Sequence, residues 1–321
     1  MISGALAGLL WGLETVVLGI ALAMSPFAST EQAIFLAPFV STALHDTFSA
    51  VYMWIYNAIR GNFKGFFSSF RKGKGGWWIV LGALIGGPIG MTGYILAVNY
   101  MGSSIGAVAS AVFPAIGAVL SRIFLKEKMK WYQYVCLALC LAGVYCLSYS
   151  PELNITNFWL GLVGALMCAF GWGIEAVIVG YGMKSASLSD EIALQIRQTT
   201  SSSVYLAILL PILGGWPFTV SLFNSPETKW LVPCIALAAV FATASYVFYY
   251  KSIAKIGASK AMALNITYVA WSIILSLIIL RDTSVLNPLT IISAVVVLVC
   301  GLFAAVDVKT LFKKKDESHE G

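Results

Sequence analysis

Charge is what this sequence has least of. Only 11% of its 321 residues are Asp, Glu, Lys or Arg, against about a quarter in an ordinary soluble domain. Hydrophobic residues make up 59%, and the mean hydropathy is +0.86. Twenty Lys and Arg with 14 Asp and Glu cannot solvate the surface of a folded chain of this length, which excludes a water-soluble globular protein. Histidine is scarcer still, with His45 and His319 alone. There is no HExxH pair, nucleophile motif or cluster of metal-ligating side chains, so neither an enzyme nor a cofactor nor a metal is expected. The six cysteines (Cys136, Cys140, Cys146, Cys168, Cys234, Cys300) lie in apolar runs without a CxxC pair and read as small packing residues. The first apolar run lacks a basic segment ahead of it and a small-residue cleavage site, so a retained helix is expected there and not a signal peptide.

What is abundant is apolar sequence in lengths that cross a bilayer, which takes about 20 residues per helix. Such runs occur near 3–24, 31–59, 76–99, 102–125, 131–149, 156–184, 189–213, 228–251, 257–280 and 288–307. The expected fold is an all-α membrane protein of ten transmembrane helices. The net charge of +6 then reports orientation, with no nucleic-acid partner implied. With the amino terminus inside, the inner side receives Arg60, Lys64, Arg71, Lys72, Lys74, Arg122, Lys126, Lys128, Lys130, Lys184, Lys251, Lys255, Lys260, Lys309, Lys313, Lys314 and Lys315. The outer side receives Lys229 and Arg281. Arg197 is left near the inner end of the seventh span, within snorkelling reach of the headgroups. Both termini are therefore expected in the cytoplasm.

The two halves of the chain resemble each other. Trp11-Gly12-Leu13-Glu14 through Gly19 matches Trp172-Gly173-Ile174-Glu175 through Gly180 at constant offset. Tyr94 to Glu127 matches Tyr249 to Asp282 without a gap, pairing Gly102 with Gly257, Phe113 with Tyr268 and Lys126-Glu127 with Arg281-Asp282. A duplicated five-helix unit follows: residues 1–150, an inverted copy at 151–308 and a charged cytoplasmic tail at 309–321. An odd number of spans puts the second copy upside down, as in many secondary transporters, whose substrate sites lie between the halves.

Ionisable side chains deep in a span are costly and need a reason. Glu14, His45, Asp46, Glu175 and Arg197 qualify. Glu14 and Glu175 each follow a tryptophan by three residues, so each carboxylate shares a helix face with an indole, that of Trp11 or Trp172. Tyr94 and Tyr249 are equivalent in the repeat, and Tyr268 and Trp271 are three apart, with Asn265 one turn earlier. A methylated ammonium donates no conventional hydrogen bond and is held by the faces of Trp and Tyr, each worth up to about 2 kcal/mol when dry. A nearby carboxylate compensates its charge. Substrate contact is the reading adopted for Trp11, Glu14, Tyr94, Trp172, Glu175, Tyr249, Asn265, Tyr268 and Trp271, with packing as the alternative for the aromatics and an interhelical hydrogen bond for the acids. His45, Asp46, Glu14 and Glu175 are the candidates for proton or ion coupling; a plain interhelical bond is the alternative for His45. Pro88 after Gly86-Gly87, and Pro114, mark places where helices can bend. Trp54, Trp77, Trp78, Trp131, Trp159 and Trp230 read as interfacial belts.

Met101-Gly102-Ser103-Ser104 through Val112-Phe113-Pro114, then Leu125-Lys126-Glu127-Lys128 and Gly143, resemble the EamA-type, ten-helix carriers of the drug/metabolite transporter superfamily. The echo is Ile256-Gly257-Ala258-Ser259-Lys260, Leu280-Arg281-Asp282 and Gly301, with Val269 where a proline is common and Asp282 for glutamate. A narrower resemblance, carried by the first span, Ala43-Leu44-His45-Asp46 and the aromatic spans, is to the LicB-type choline permeases. It implies a carrier in a bacterial cytoplasmic membrane, monomeric or homodimeric. Such a carrier imports choline or a similar small cation by alternating access, either facilitative or proton-coupled. The alternative on the same fold is an exporter of amino acids, other small metabolites or cationic drugs.

Overall fold

The computed structural model describes residues 1–71, 75–102, 108, 111–148, 155–283 and 286–307. Among the described residues every regular element is helical. In chain order these are α1 (Ile2–Ala23), α2 (Glu31–Ile59), α3 (Phe63–Arg71), α4 (Gly75–Met101), α5 (Phe113–Leu125), α6 (Trp131–Ser148), α7 (Phe158–Ser185), α8 (Asp190–Ile212), α9 (Trp216–Asn224), α10 (Leu231–Ile256), α11 (Ala258–Ile279) and α12 (Pro288–Ala305).

Eight of them (α1, α2, α4, α6, α7, α10, α11 and α12) are long and apolar enough to cross a bilayer by themselves. The chain is thus an all-α, multi-pass membrane protein. Ten spans are not reached by length alone. The expected seventh span is α8, which bends by 109° into α9, and the expected fourth is represented by the shorter α5. Most of 103–110, which was to begin that fourth span, lies outside the described residues, as do Ser150-Pro151-Glu152 and the basic tail. Helix α3 is an addition that hydropathy did not reveal. Its Phe63, Phe66, Phe67 and Phe70 recur at helical spacing, and Trp54 packs on the first three.

Local chemistry fixes the helix ends. Thr30, Asn157, Ser189 and Asn287 each accept a backbone N–H three residues on, at 3.1, 3.2, 3.3 and 2.9 Å, so donors with no partner inside the helix are satisfied. Helix α4 ends at Gly102 (φ 86°) and α10 at Gly257 (φ 90°), and each glycine N–H reaches the carbonyl four residues back. A residue with a Cβ is strained there. Lys126 (φ 57°) and Arg281 (φ 55°), another matched pair from the two halves, also share the left-handed conformation.

Helix packing repeats in the same way. Helix α1 lies against α10 and α11; its counterpart α7 lies against α4 and α5. Helix α2 packs on α8, and α6 on α12. A Cβ on Gly12 would come within 2.7 Å of Trp271 Cβ and 2.9 Å of the Ser272 nitrogen. A Cβ on Gly173 would come within 3.1 Å of Ile116 Cγ2 and 3.2 Å of the Gly117 nitrogen. Those neighbours are the very residues the sequence match pairs. Small residues let helices approach where lipid supplies no hydrophobic drive between them.

The α2–α8 seam is polar and buried. Thr47 bonds Ser202 at 2.8 Å, Gln198 donates to Ser49 at 2.6 Å and Asn57 to Gln195 at 2.7 Å. Outward faces are apolar. Trp77, Trp131, Trp159 and Trp230 are exposed, whereas Trp54 donates its indole N–H to Thr199 at 3.0 Å and is not a simple belt residue.

Candidate functional site

A cavity of about 240 Å³ opens between the halves, lined by α1, α2, α4, α5, α7, α8, α10 and α11. Ten of the eleven nominated residues line it: Trp11, Glu14, His45, Asp46, Tyr94, Trp172, Glu175, Tyr249, Asn265 and Tyr268. Trp271 does not. Its backbone and Cβ form the surface on which Gly12 packs, so the sequence pattern placed it one helix face away from the cavity.

Aromatic rings are the main wall. Trp11 meets Tyr246 edge to face at 4.8 Å and Tyr268 at 6.4 Å. On the other side Trp172 stacks on Tyr94 at 6.0 Å and meets Phe113 edge to face at 6.0 Å. Phe113 and Tyr268 are equivalent in the sequence match, so each indole has the same edge neighbour. The Trp172 N–H donates to the carbonyl of Gly86 at 2.9 Å. That carbonyl is available because Ile85–Ile89, with Pro88 inside it, is a π-helical turn, and the N–H of Gly90 reaches Ile85 and Gly87 instead. The bend expected at Pro88 therefore takes the form of a widened turn, while Pro114 begins α5.

Five charged or titratable side chains form one buried chain through the cavity. Glu14 Oε1 lies 3.5 Å from His45 Nε2, and His45 Nδ1 lies 3.1 Å from Asp46 Oδ1. The other Asp46 oxygen accepts from Ser201 at 2.6 Å and lies 3.5 Å from Arg197 Nη1. Arg197 Nε donates to Glu175 Oε1 at 2.9 Å, its Nη1 donates to Gln198 at 2.6 Å, and its Cζ sits 4.8 Å from the centre of the Tyr246 ring. Three carboxylates against one guanidinium leave negative formal charge in excess. Gly86 is essential to the arrangement, since a Cβ there would overlap the Glu175 carboxyl.

Arg197 requires a correction. Its place near the start of the seventh span put it at the headgroups. In the structure it is 4% exposed and turned into the cavity, held by acids from α2 and α7. A buried guanidinium needs such partners, and the headgroups would not provide them inside the bundle. Tyr246 and Tyr250 were also missed, although a signal was present: Tyr246, Tyr249, Tyr250 and Ile253 fall at i, i+3, i+4 and i+7 of α10, and all four line the cavity.

The EamA-like transporter family model matches residues 1–149 and 159–306. The chain belongs to the EamA-like transporter family. This EamA-like chain is accordingly a membrane transporter and not an enzyme. It is 32% identical over 216 residues to protein LicB of Haemophilus influenzae, covering 67% of this chain and 70% of that protein. It is 25% identical over 224 residues to the riboflavin transporter ImpX of Fusobacterium nucleatum, covering 68% and 72% respectively. A solved crystal structure shares its fold with a TM-score of 0.69 at 18% identity, covering 95% of this chain and 97% of the other.

Proposed function

We propose that this EamA-like transporter imports choline or a related quaternary ammonium compound across a bacterial cytoplasmic membrane, with both termini in the cytoplasm. The carrying observation is the cavity wall: Trp11, Tyr246, Tyr249, Tyr268, Trp172 and Tyr94 present aromatic surface, while Glu14 stands on the Trp11 face with excess negative charge around it. Methylated ammonium groups are recognised by this pairing of π faces and carboxylate. Similarity to LicB, together with the permease resemblance read from the sequence, supports the same substrate class.

Alternating access follows from two inverted units, 1–150 and 151–308. The paired left-handed residues, the matched packing of α1 and α7 and the family match in each half all support that division. Residues Trp11, Glu14, Tyr94, Trp172, Glu175, Tyr249, Asn265 and Tyr268 form the binding surface, and the Glu14–His45–Asp46 chain is where a proton would be exchanged.

Two observations weigh against other cargo. A cavity of about 240 Å³ is below the roughly 300–1,000 Å³ that holds drug-sized ligands, which disfavours riboflavin. An amino acid or other carboxylate would enter a chamber where Glu14, Asp46 and Glu175 outnumber the one guanidinium, Arg197.

Uptake of labelled choline into proteoliposomes, with amino acids, glycine betaine and riboflavin as competitors, is the test. Saturable uptake blocked by other quaternary amines alone is the expected result. No choline uptake, or stronger competition by an amino acid, overturns the reading.

A further inference from the structure

We infer that Arg197 is a tethered cation that exchanges with the substrate on the Tyr246 ring and the Glu175 carboxylate, and that it takes the substrate's place when the carrier returns empty. This rests on the quaternary-amine reading and adds a step to it.

The guanidinium of Arg197 already has what a methylated ammonium needs. One aromatic face lies 4.8 Å away, one carboxylate is bonded at 2.9 Å and a second lies at 3.5 Å. Tyr246 is in turn the edge partner of Trp11 at 4.8 Å, so the same ring belongs to the indole side that holds Glu14. Two cations drawn to one ring and one carboxylate repel each other in a poorly solvated cavity. Arg197 and a bound quaternary amine therefore cannot both hold Tyr246 and Glu175.

The position of the arginine gives that competition a mechanical reading. Asp46 comes from α2 in the first half; Glu175 and Arg197 come from α7 and α8 in the second. Arg197 is thus a link between halves that must move against each other. Substrate that displaces it loosens the link, and the loaded carrier is free to reorient. When the substrate leaves, the carboxylates of Glu175 and Asp46 would be buried without a partner, at high cost. The guanidinium swings back and supplies the missing positive charge, so the empty carrier can cross as well. Its side chain has room to do so, because it lines the cavity itself. Beyond this point α8 widens into the π-helical turn Tyr205–Leu209 and then breaks at Gly214 (φ 63°) before α9.

A merely structural ion pair and a tethered cation differ in one measurable respect. Net uptake requires the empty carrier to return, whereas counterflow into vesicles preloaded with choline requires only loaded crossings. The full-length protein and its Arg197→Gln and Arg197→Lys variants are reconstituted, and choline affinity, net uptake and counterflow are measured. The expected result for Arg197→Gln is choline binding at least as tight as wild type, with net uptake reduced about tenfold more than counterflow. Arg197→Lys keeps the charge but not the planar stack, so its gap between the two fluxes is smaller. It also serves should the glutamine variant fail to fold. Equal loss of net uptake, counterflow and affinity in the variants overturns the inference, as does net uptake at the wild-type level in Arg197→Gln. A wild-type protein that neither binds nor exchanges choline overturns the substrate reading first, and is told apart by that.

Discussion

The two tryptophan–glutamate units, on α1 and α7, enter the same cavity with the same sequence spacing and are put to different uses. On α7, almost every polar atom is spent. The Trp172 N–H is bonded to Gly86, its ring is stacked on Tyr94, and Glu175 is bound to Arg197. On α1, Trp11 meets Tyr246 and Tyr268 edge to face, and Glu14 has the imidazole of His45 at 3.5 Å and the Thr15 hydroxyl at 3.4 Å as its partners. The two units match in sequence, and side chains from α2 and α8 make their surroundings unequal. His45 and Arg197 are the residues responsible. Glu175 is held by a guanidinium that a cation must displace, whereas Glu14 has only an imidazole and a hydroxyl beside it.

That contrast can be broken by substitution. Glu175→Gln removes the bonded carboxylate of the buried Arg197 and leaves it Asp46 at 3.5 Å and Gln198, so it is expected to destabilise the protein by about 3 kcal/mol, the low end for breaking a buried ion pair, read as a large fall in the thermal unfolding midpoint in detergent. Glu14→Gln should leave that midpoint close to wild type. Its choline kcat/KM should nevertheless fall on the order of a hundredfold, the size of a charge–charge attraction of about 3 kcal/mol at an effective dielectric near 20. If the two variants exchange phenotypes, the roles assigned to the halves are reversed. Trp11→Ala is expected to raise the choline KM about thirtyfold, matching a lost cation–π contact of up to about 2 kcal/mol. Trp172→Phe loses one neutral hydrogen bond, about 1 kcal/mol, and should show in stability before it shows in KM. Smallest of all, Trp271→Phe should leave KM unchanged, because Trp271 packs on Gly12 outside the cavity.

Much of this was legible in the sequence because the signals were local or repeated. Apolar run lengths located the eight helices long enough to cross a bilayer, though not all of the ten expected, and a constant offset between the halves paired Gly102 with Gly257, which share a backbone geometry. The mid-span acids were conspicuous against an apolar background. Arg197 was misplaced because its depth was counted from the start of its helix. Depth within a bundle depends on tilt and bending, and α8 turns sharply into α9. The exclusion of Trp271 and the inclusion of Tyr246 and Tyr250 turn on helix phase. Within an apolar span, lipid-facing and core-facing sides are equally greasy, so phase had to be read from the spacing of particular side chains, such as the tyrosines of α10. Helix α3 went unseen for the opposite reason: nine residues are too few for a span, and only the spacing of its four phenylalanines betrayed it.

The widened turn at Ile85–Ile89 acts as a register key for the whole of α4. One surplus residue sits in that turn, and each residue of an α-helix rotates the chain by about 100°. Deleting Gly87 would take the surplus residue out of that turn and force Pro88, which has no N–H to donate, into a tighter α-helical turn against the carbonyl four residues back. Closing the turn would return the Gly86 carbonyl to the helix's own ladder and take it from the Trp172 N–H. A point deletion in a glycine pair that lines the chamber beside the Glu175 carboxyl would thereby disturb one wall of it through the backbone alone.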